Sequence, residues 1–273
     1  MNLAIAIFIV AAVTALAVAA MLLVRRRAPE GSYFQDGDRA AGVFGVLAAG
    51  FAILLGFVIF LAFERYDAAR SGSEAEALIL VQQFETAQFM STESRRRLEG
   101  ELVCYGRWVV HQEWPDMQSG ESTLLNPWAV ALFKTIRATD PKSVPEQTAF
   151  SKWLDQTSDR EQARNDRTHG AAGVIPLSLW IVMLFAAGVI FVFILFFADP
   201  AEGAVTQGVL MGSVASVMTA MLLLLGFLDN PYREGPGSLQ PVSMERTLDV
   251  FREAKAALGE NETEPCTTEG QER

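Results

Sequence analysis

The sequence predicts an all-α integral membrane protein: four transmembrane helices with a helical soluble domain inserted between spans 2 and 3. Three observations predict it. Residues 1–24, 40–63, 170–198 and 203–228 are four uncharged, apolar runs. At about 1.5 Å of rise per residue each is long enough to cross ~30 Å of hydrocarbon. The one long polar stretch, 64–169, repeats its apolar residues at helical spacing and shows no strand alternation of comparable strength. Finally, 51% of the residues are hydrophobic, more than an ordinary soluble domain carries.

The same composition excludes several classes of function. A formal net charge of -10 argues against nucleic acid, because phosphate binding needs a clustered basic surface and no arginine group here is long enough. Two Cys and two His cannot build a four-thiolate metal site, so neither metal nor other cofactor is expected. There is no phosphate-cradling Gly loop, no His-Glu-x-x-His and no Gly-x-Ser-x-Gly, and the chain does not read as an enzyme.

Residues 1–24 form the first span, and Arg25, Arg26 and Arg27 follow it at once. A cleaved signal peptide would carry its positive charge ahead of the apolar run, so this segment reads as a retained anchor although Ala17-Val18-Ala19 resembles a cleavage site. Residues 25–39 are a short polar loop. Asp36-Gly37-Asp38 in it reads as a turn, since a calcium loop would need further ligands and a closing Glu.

Span 2, residues 40–63, organises the chain. Gly45, Gly50 and Gly56, with Ala48, Ala49 and Ala52 between, let other backbones approach, as interfaces between membrane helices require. No Pro occurs between Ala40 and Glu76, so the helix is expected to run out of the membrane through Glu64 into the soluble domain. Phe57 and Phe60 are candidates for the neck of a pore if this helix faces a central axis. The alternative is that both simply pack or face lipid.

The soluble domain, 64–169, reads as helices. Leu98, Leu102, Tyr105 and Val109 mark an amphipathic helix ending at Trp114-Pro115. Asn126-Pro127 is a cap with Pro at the first helical position, opening a helix with Trp128, Leu132, Phe133 and Ile136 inward. Ser143 and Glu146 form a capping-box pattern ahead of a last helix with Ala149, Phe150, Trp153, Leu154 and Thr157 on one face. That helix carries Arg160, Arg164 and Arg167 just before the membrane. They are either a cationic pore-mouth ring that binds ions or lipid headgroups, or a solvated face paired with neighbouring acids. His111 and His169 have no partners at ligand or triad spacing and read as structural.

Spans 3 and 4, residues 170–198 and 203–228, are joined by a turn at 199–202. Four spans put both termini and the soluble domain on one side and the 25–39 loop on the other. Gly208, Gly212, Ser216 and Ala220 form a small-residue stripe for helix packing. No span contains an interior charge, which disfavours a pump. The C-terminal segment, 229–273, begins with a surface turn and a short helix, with a disordered acidic tail expected from about residue 259. Asn261-Glu262-Thr263 fits a glycosylation pattern that arises often by chance. Cys104 and Cys266 fall on one side of the membrane, and whether they pair stays open.

The residues also carry a resemblance. Glu64-Arg65-Tyr66-Asp67, Glu113-Trp114-Pro115 through Gly120, Arg160 with Arg164, Ile175 through Trp180, and Asp229-Asn230-Pro231-Tyr232 together resemble the bestrophin-like domain family of four-span bacterial membrane proteins. Glu64, Tyr66, Glu113, Trp114, Pro115, Gly120, Asp229 and Pro231 are the motif positions. The resemblance implies kinship with bestrophins, oligomeric anion channels whose second span lines the pore. It therefore implies a homo-oligomer in a cell membrane, with the lipid bilayer and small anions as partners. The alternative is a non-conducting anchored domain that binds a partner or lipid. No acidic cluster resembles the bestrophin calcium clasp.

Orientation divides these arguments. Arg25, Arg26 and Arg27 favour a cytoplasmic loop, which sends the soluble domain outside. Bestrophin kinship implies the opposite, and on balance the sequence places the domain outside.

Overall fold

A computed structural model of the chain describes residues 3–29, 33–34, 36–120, 124–171, 173, 175–235, 237–259 and 263–273. The glycosylation pattern, through Asn261 and Glu262, lies outside them. The described residues form α1 (Leu3–Arg25), α2 (Gly37–Ala87), α3 (Thr92–Trp108), α4 (Trp114–Gln118), α5 (Pro127–Ala138), α6 (Val144–His169), α7 (Leu177–Leu195), α8 (Ala204–Asp229) and α9 (Val242–Leu258). A π-helical turn, Val109–Glu113, joins α3 to α4. The fold is all-α, and α1, α2, α7 and α8 are long and apolar enough to cross a membrane. Two compact units form: Met1–Glu64 with Gly173–Asp229 and Glu234–Pro236, and Arg65–Ala172 with Asn230–Arg233 and Gly237–Arg273. Helix α2, 51 residues long, supplies residues to both.

In the first unit α1 packs on α8 around Ala17, Met21, Met211 and Ala215. Two residues of the predicted stripe sit in this seam. A Cβ on Gly208 would meet Val18 and Met21 at 3.7 Å, and one on Gly212 would meet Thr14 and Val18 at 3.4 Å. Ser216 turns its hydroxyl back to the Ser213 carbonyl at 2.9 Å and Ala220 is exposed, so the seam in this unit uses the glycine half of the stripe.

Helix α7 starts at Leu177, later than the uncharged run at 170, because Pro176 occupies its N-cap and cannot donate into a preceding turn. The Asp229 carboxylate closes this start, accepting the Ile175 N–H at 2.8 Å and the Trp180 indole N–H at 3.2 Å. At the other end Arg25 donates to the carbonyls of Asp199 at 3.2 Å, Pro200 at 3.1 Å and also Glu202.

The second unit is built on the predicted stripe: Leu98, Leu102, Tyr105 and Val109 are all fully buried. Both predicted caps form, with Asn126 accepting the Trp128 N–H at 3.0 Å and Ser143 and Glu146 making a reciprocal capping box. Phe133 and Leu154, expected inward, are exposed. Trp114-Pro115 does not end the helix. The turn ahead of it widens, with the Trp114 N–H bonding the Val109 carbonyl, which accommodates a Pro that has no N–H, and helix resumes to Gln118.

The expected disorder of the tail does not extend over residues 263–273. Cys266 forms a disulfide with Cys104 of α3, Thr267 donates to the Gln271 carbonyl at 2.8 Å, and Trp128 donates to the Gly270 carbonyl at 2.6 Å. Gly270 has φ +81°, and a Cβ there would lie 2.5 Å from the Trp108 nitrogen. The tail is folded because a bond that the sequence left open anchors it.

Candidate functional site

Two sets of residues were singled out for function, and the structure treats them differently. The arginines of α6 are drawn inward. Helix α2 crosses α6 at Gly72, where a Cβ would lie 2.7 Å from the Ala163 carbonyl oxygen and 2.8 Å from the Arg167 nitrogen. Only a residue without a side chain allows that approach. It brings Glu76, one turn further along α2, onto Arg167.

Arg167 binds Glu76 through Nη2 at 3.1 Å and reaches Glu113 at 2.7 Å. Tyr105 donates to the same Glu76 at 2.6 Å, and Arg164 reaches Glu113 at 3.3 Å and the Leu124 carbonyl at 3.0 Å. Arg160 donates to Gln83 at 2.9 Å and lies 5.0 Å over the Tyr105 ring.

Electrostatics follow from burial and pairing. Burial alone would push the Arg167 guanidinium down, but Glu76 and Glu113 hold it well above its ordinary value. Tyr105 is raised well above its ordinary range, first by burial and then by Glu76.

The expectation of a cationic ring or lipid-headgroup site at Arg160, Arg164 and Arg167 is therefore corrected at Arg160 and Arg167, which are buried, whereas Arg164 is part-exposed. Arg160 is 2% and Arg167 0% exposed, with Arg160 Nη1 directed to the Gln83 amide oxygen and Arg167 Nη2 to the Glu113 carboxylate of the same unit. The solvated-face alternative fails at Arg160 and Arg167 for the same reason, apart from an Arg160 contact with Glu161 at 3.3 Å. The sequence reading missed Glu76, Gln83 and Gly72. Their signal was a Glu and a Gln on the apolar face of α2, where an unpaired charge would be costly.

Half of the motif positions, Tyr66, Glu113, Trp114 and Pro231, serve this cluster and its frame. Glu113 is the second carboxylate. Trp114 donates to the Leu239 carbonyl at 3.2 Å and stands edge-on to Tyr232 at 5.4 Å. The Tyr232 hydroxyl donates to the Arg167 carbonyl at 2.7 Å, and the Pro231 carbonyl accepts the Leu239 N–H at 2.9 Å. Tyr66 donates to the Gly237 carbonyl at 2.8 Å. Asp229, Pro231 and Tyr232 are buried, so the expected surface turn is internal. Glu64, Pro115 and Gly120 are exposed, Gly120 with φ +89°.

The second set lies on the apolar part of α2. Phe51, Leu55, Val58 and Ala62, at helical spacing, are its buried face. The opposite face carries Gly42, Gly45, Ala49, Gly56, Phe57 and Phe60, all exposed. A Cβ on Gly42, Gly45, Gly50 or Gly56 would meet nothing within 4 Å, so the small residues expected to contact another backbone have none beside them within their unit. Phe57 and Phe60 are 60% and 55% exposed on that face.

Comparison with known proteins agrees with this architecture. A point mutant of the bacterial bestrophin homologue from Klebsiella pneumoniae superposes with a TM-score of 0.67 at 15% identity, over 89% of this chain and 98% of that one. A structure described as a membrane protein superposes with a TM-score of 0.69 at 12% identity, over 93% and 99%. At such identity these likenesses speak to the fold alone. No curated protein matches the chain in sequence. The model of the Bestrophin-like domain matches residues 11–243, most of the chain, and the chain therefore belongs to the Bestrophin-like family.

Proposed function

We propose that the chain assembles as a homo-oligomer in a cell membrane and conducts small ions along a central path lined by α2. The observation that carries this is the bare face of α2. A row of glycines and alanines suits close contact between membrane helices, yet here it points away from the helices of its own unit. Four spans in one copy are too few to enclose a water-filled path, whereas several copies can surround one. Phe57 and Phe60 on that face then form an apolar neck, a known way to gate by dewetting.

Anions are the class that kinship with bestrophins supports. Further along the same helix Glu64, Asp67 and Glu74 are exposed and acidic, which gives the sign of the ion diagnostic value. The test is planar-bilayer recording of the purified protein under a salt gradient, with its mass measured in mild detergent. Unitary currents from an oligomer are expected, and the reversal potential reports the sign. A monomeric mass with silent bilayers would leave the anchored binding domain as the better reading.

A further inference from the structure

We propose that the helical domain folds on the oxidising, extracytoplasmic face of its membrane, where thiol–disulfide exchange joins Cys104 to Cys266. This does not depend on the pore. One observation is covalent. The two cysteines lie 162 residues apart in sequence with Cα atoms 5.8 Å apart, and both are fully buried. The tail is seated so as to keep them there. Trp128 holds the Gly270 carbonyl, and Arg107 donates to the Thr267 carbonyl at 3.2 Å. Disulfides of this kind form and persist outside the cytosol, where no thiol buffer reduces them.

The second observation is charge. Arg25, Arg26 and Arg27 stand directly after α1 in the loop 25–39, short enough for positive charge to set orientation. The stretch 64–169 is long, but Arg65, Arg70, Arg160, Arg164 and Arg167 lie near its membrane ends, and they weaken the charge argument without reversing it. Arg25 also binds the carbonyls of Asp199 and Pro200, which puts both short connections at one end of the first unit. Those connections belong in the cytoplasm and the helical domain opposite, the reverse of what bestrophin kinship implies.

The oxidant is an oxidised dithiol protein of that compartment. One cysteine thiolate attacks the donor's disulfide, forming a mixed disulfide and releasing one donor thiolate. The other cysteine thiolate then attacks the mixed disulfide and expels the donor as a dithiol. Two protons and two electrons leave the cysteines, and the donor is reduced by the same two electrons.

The test uses the full chain in its native membrane. Cells are quenched in acid, denatured and treated with a maleimide polymer. No added mass is expected without reductant, and two additions after reduction. In a Cys104→Ser/Cys266→Ser background, a membrane-impermeant maleimide should label Ser119→Cys in intact spheroplasts and Pro29→Cys only after lysis. Two free thiols at the acid quench would overturn the proposal, and so would the reversed labelling pattern even with the bond intact. If the serine background does not fold, the thiol count on the unaltered chain decides.

Discussion

Glu76 and Arg167 form a fully buried ion pair that ties α2 to α6, with Arg167 Nη2 at 3.1 Å from Glu76 Oε1. Removing one partner of a buried pair leaves the other charge uncompensated, at a cost of about 3–5 kcal/mol. Glu76→Ala is therefore expected to lower the thermal midpoint sharply in detergent, with circular dichroism as the readout. Arg97→Ala, which removes the exposed pair with Glu93, should change stability by under about 1 kcal/mol. Equal effects from the two variants would remove the cluster from its structural role.

Gly72 makes that pair possible, and its replacement tests the crossing itself. A methyl group at this position meets backbone atoms of Ala163 and Arg167, which cannot swing aside as a side chain would. Gly72→Ala should cost about 1–3 kcal/mol or more. Gly56→Ala meets nothing within 4 Å and should leave the unfolding of a single copy unchanged or slightly raised, since Ala is the better helix former. If Gly56→Ala instead loosens the oligomer in mass measurements, the bare face of α2 is an interface.

Glu101 gives the pH dependence. Burial raises its carboxyl above the ordinary range, against a hydrogen bond from Thr135 at 2.7 Å and the nearby charge of Arg97. A carboxyl raised on folding contributes stability below its unfolded value, and that contribution is lost as pH rises through the folded value. At neutral pH the ionised form is then a burden. Glu101→Gln should melt higher than the natural chain at pH 7, and the gap should close as pH falls into the carboxylate range. A gap that is constant with pH would show that the charge is not the cause.

Much of the fold was legible because its signals are local. Uncharged runs located four membrane helices, and Asn126 and Ser143 announced their caps through neighbours within three residues. What stayed hidden depends on distance in the chain. Arg160, Arg164 and Arg167 recur at helical spacing and look like a surface stripe, but their partners Glu76, Gln83 and Glu113 lie 51 to 91 residues away. Nothing near Cys266 signals Cys104, and nothing near Asp229 signals the start of α7. The bare face of α2 was visible as a glycine pattern, whereas its lack of a neighbour emerged only with the packing.

The α1–α8 seam is tested at Gly212. A leucine there extends from a Cβ already 3.4 Å from Thr14 and Val18, so α1 must move away or the side chain must strain. Gly212→Leu should lose about 1–3 kcal/mol, read as a lower melting temperature in detergent. An unchanged profile would place the α1 contact elsewhere.

The last prediction concerns the neck. Phe57 and Phe60 project from α2 on the side opposite Phe51, Leu55, Val58 and Ala62, so truncating them opens no cavity in the buried seam. Phe57→Ala and Phe60→Ala should therefore leave the melting temperature nearly unchanged. In an oligomer with α2 around the axis, each substitution repeats once per copy and widens and wets the apolar constriction. Unitary conductance should rise in both variants, and more in the double variant. If the two residues face lipid instead, conductance stays at the level of the natural chain while the mass in detergent is unaltered. Bilayers that remain silent for the natural chain and all three variants would defeat the pore.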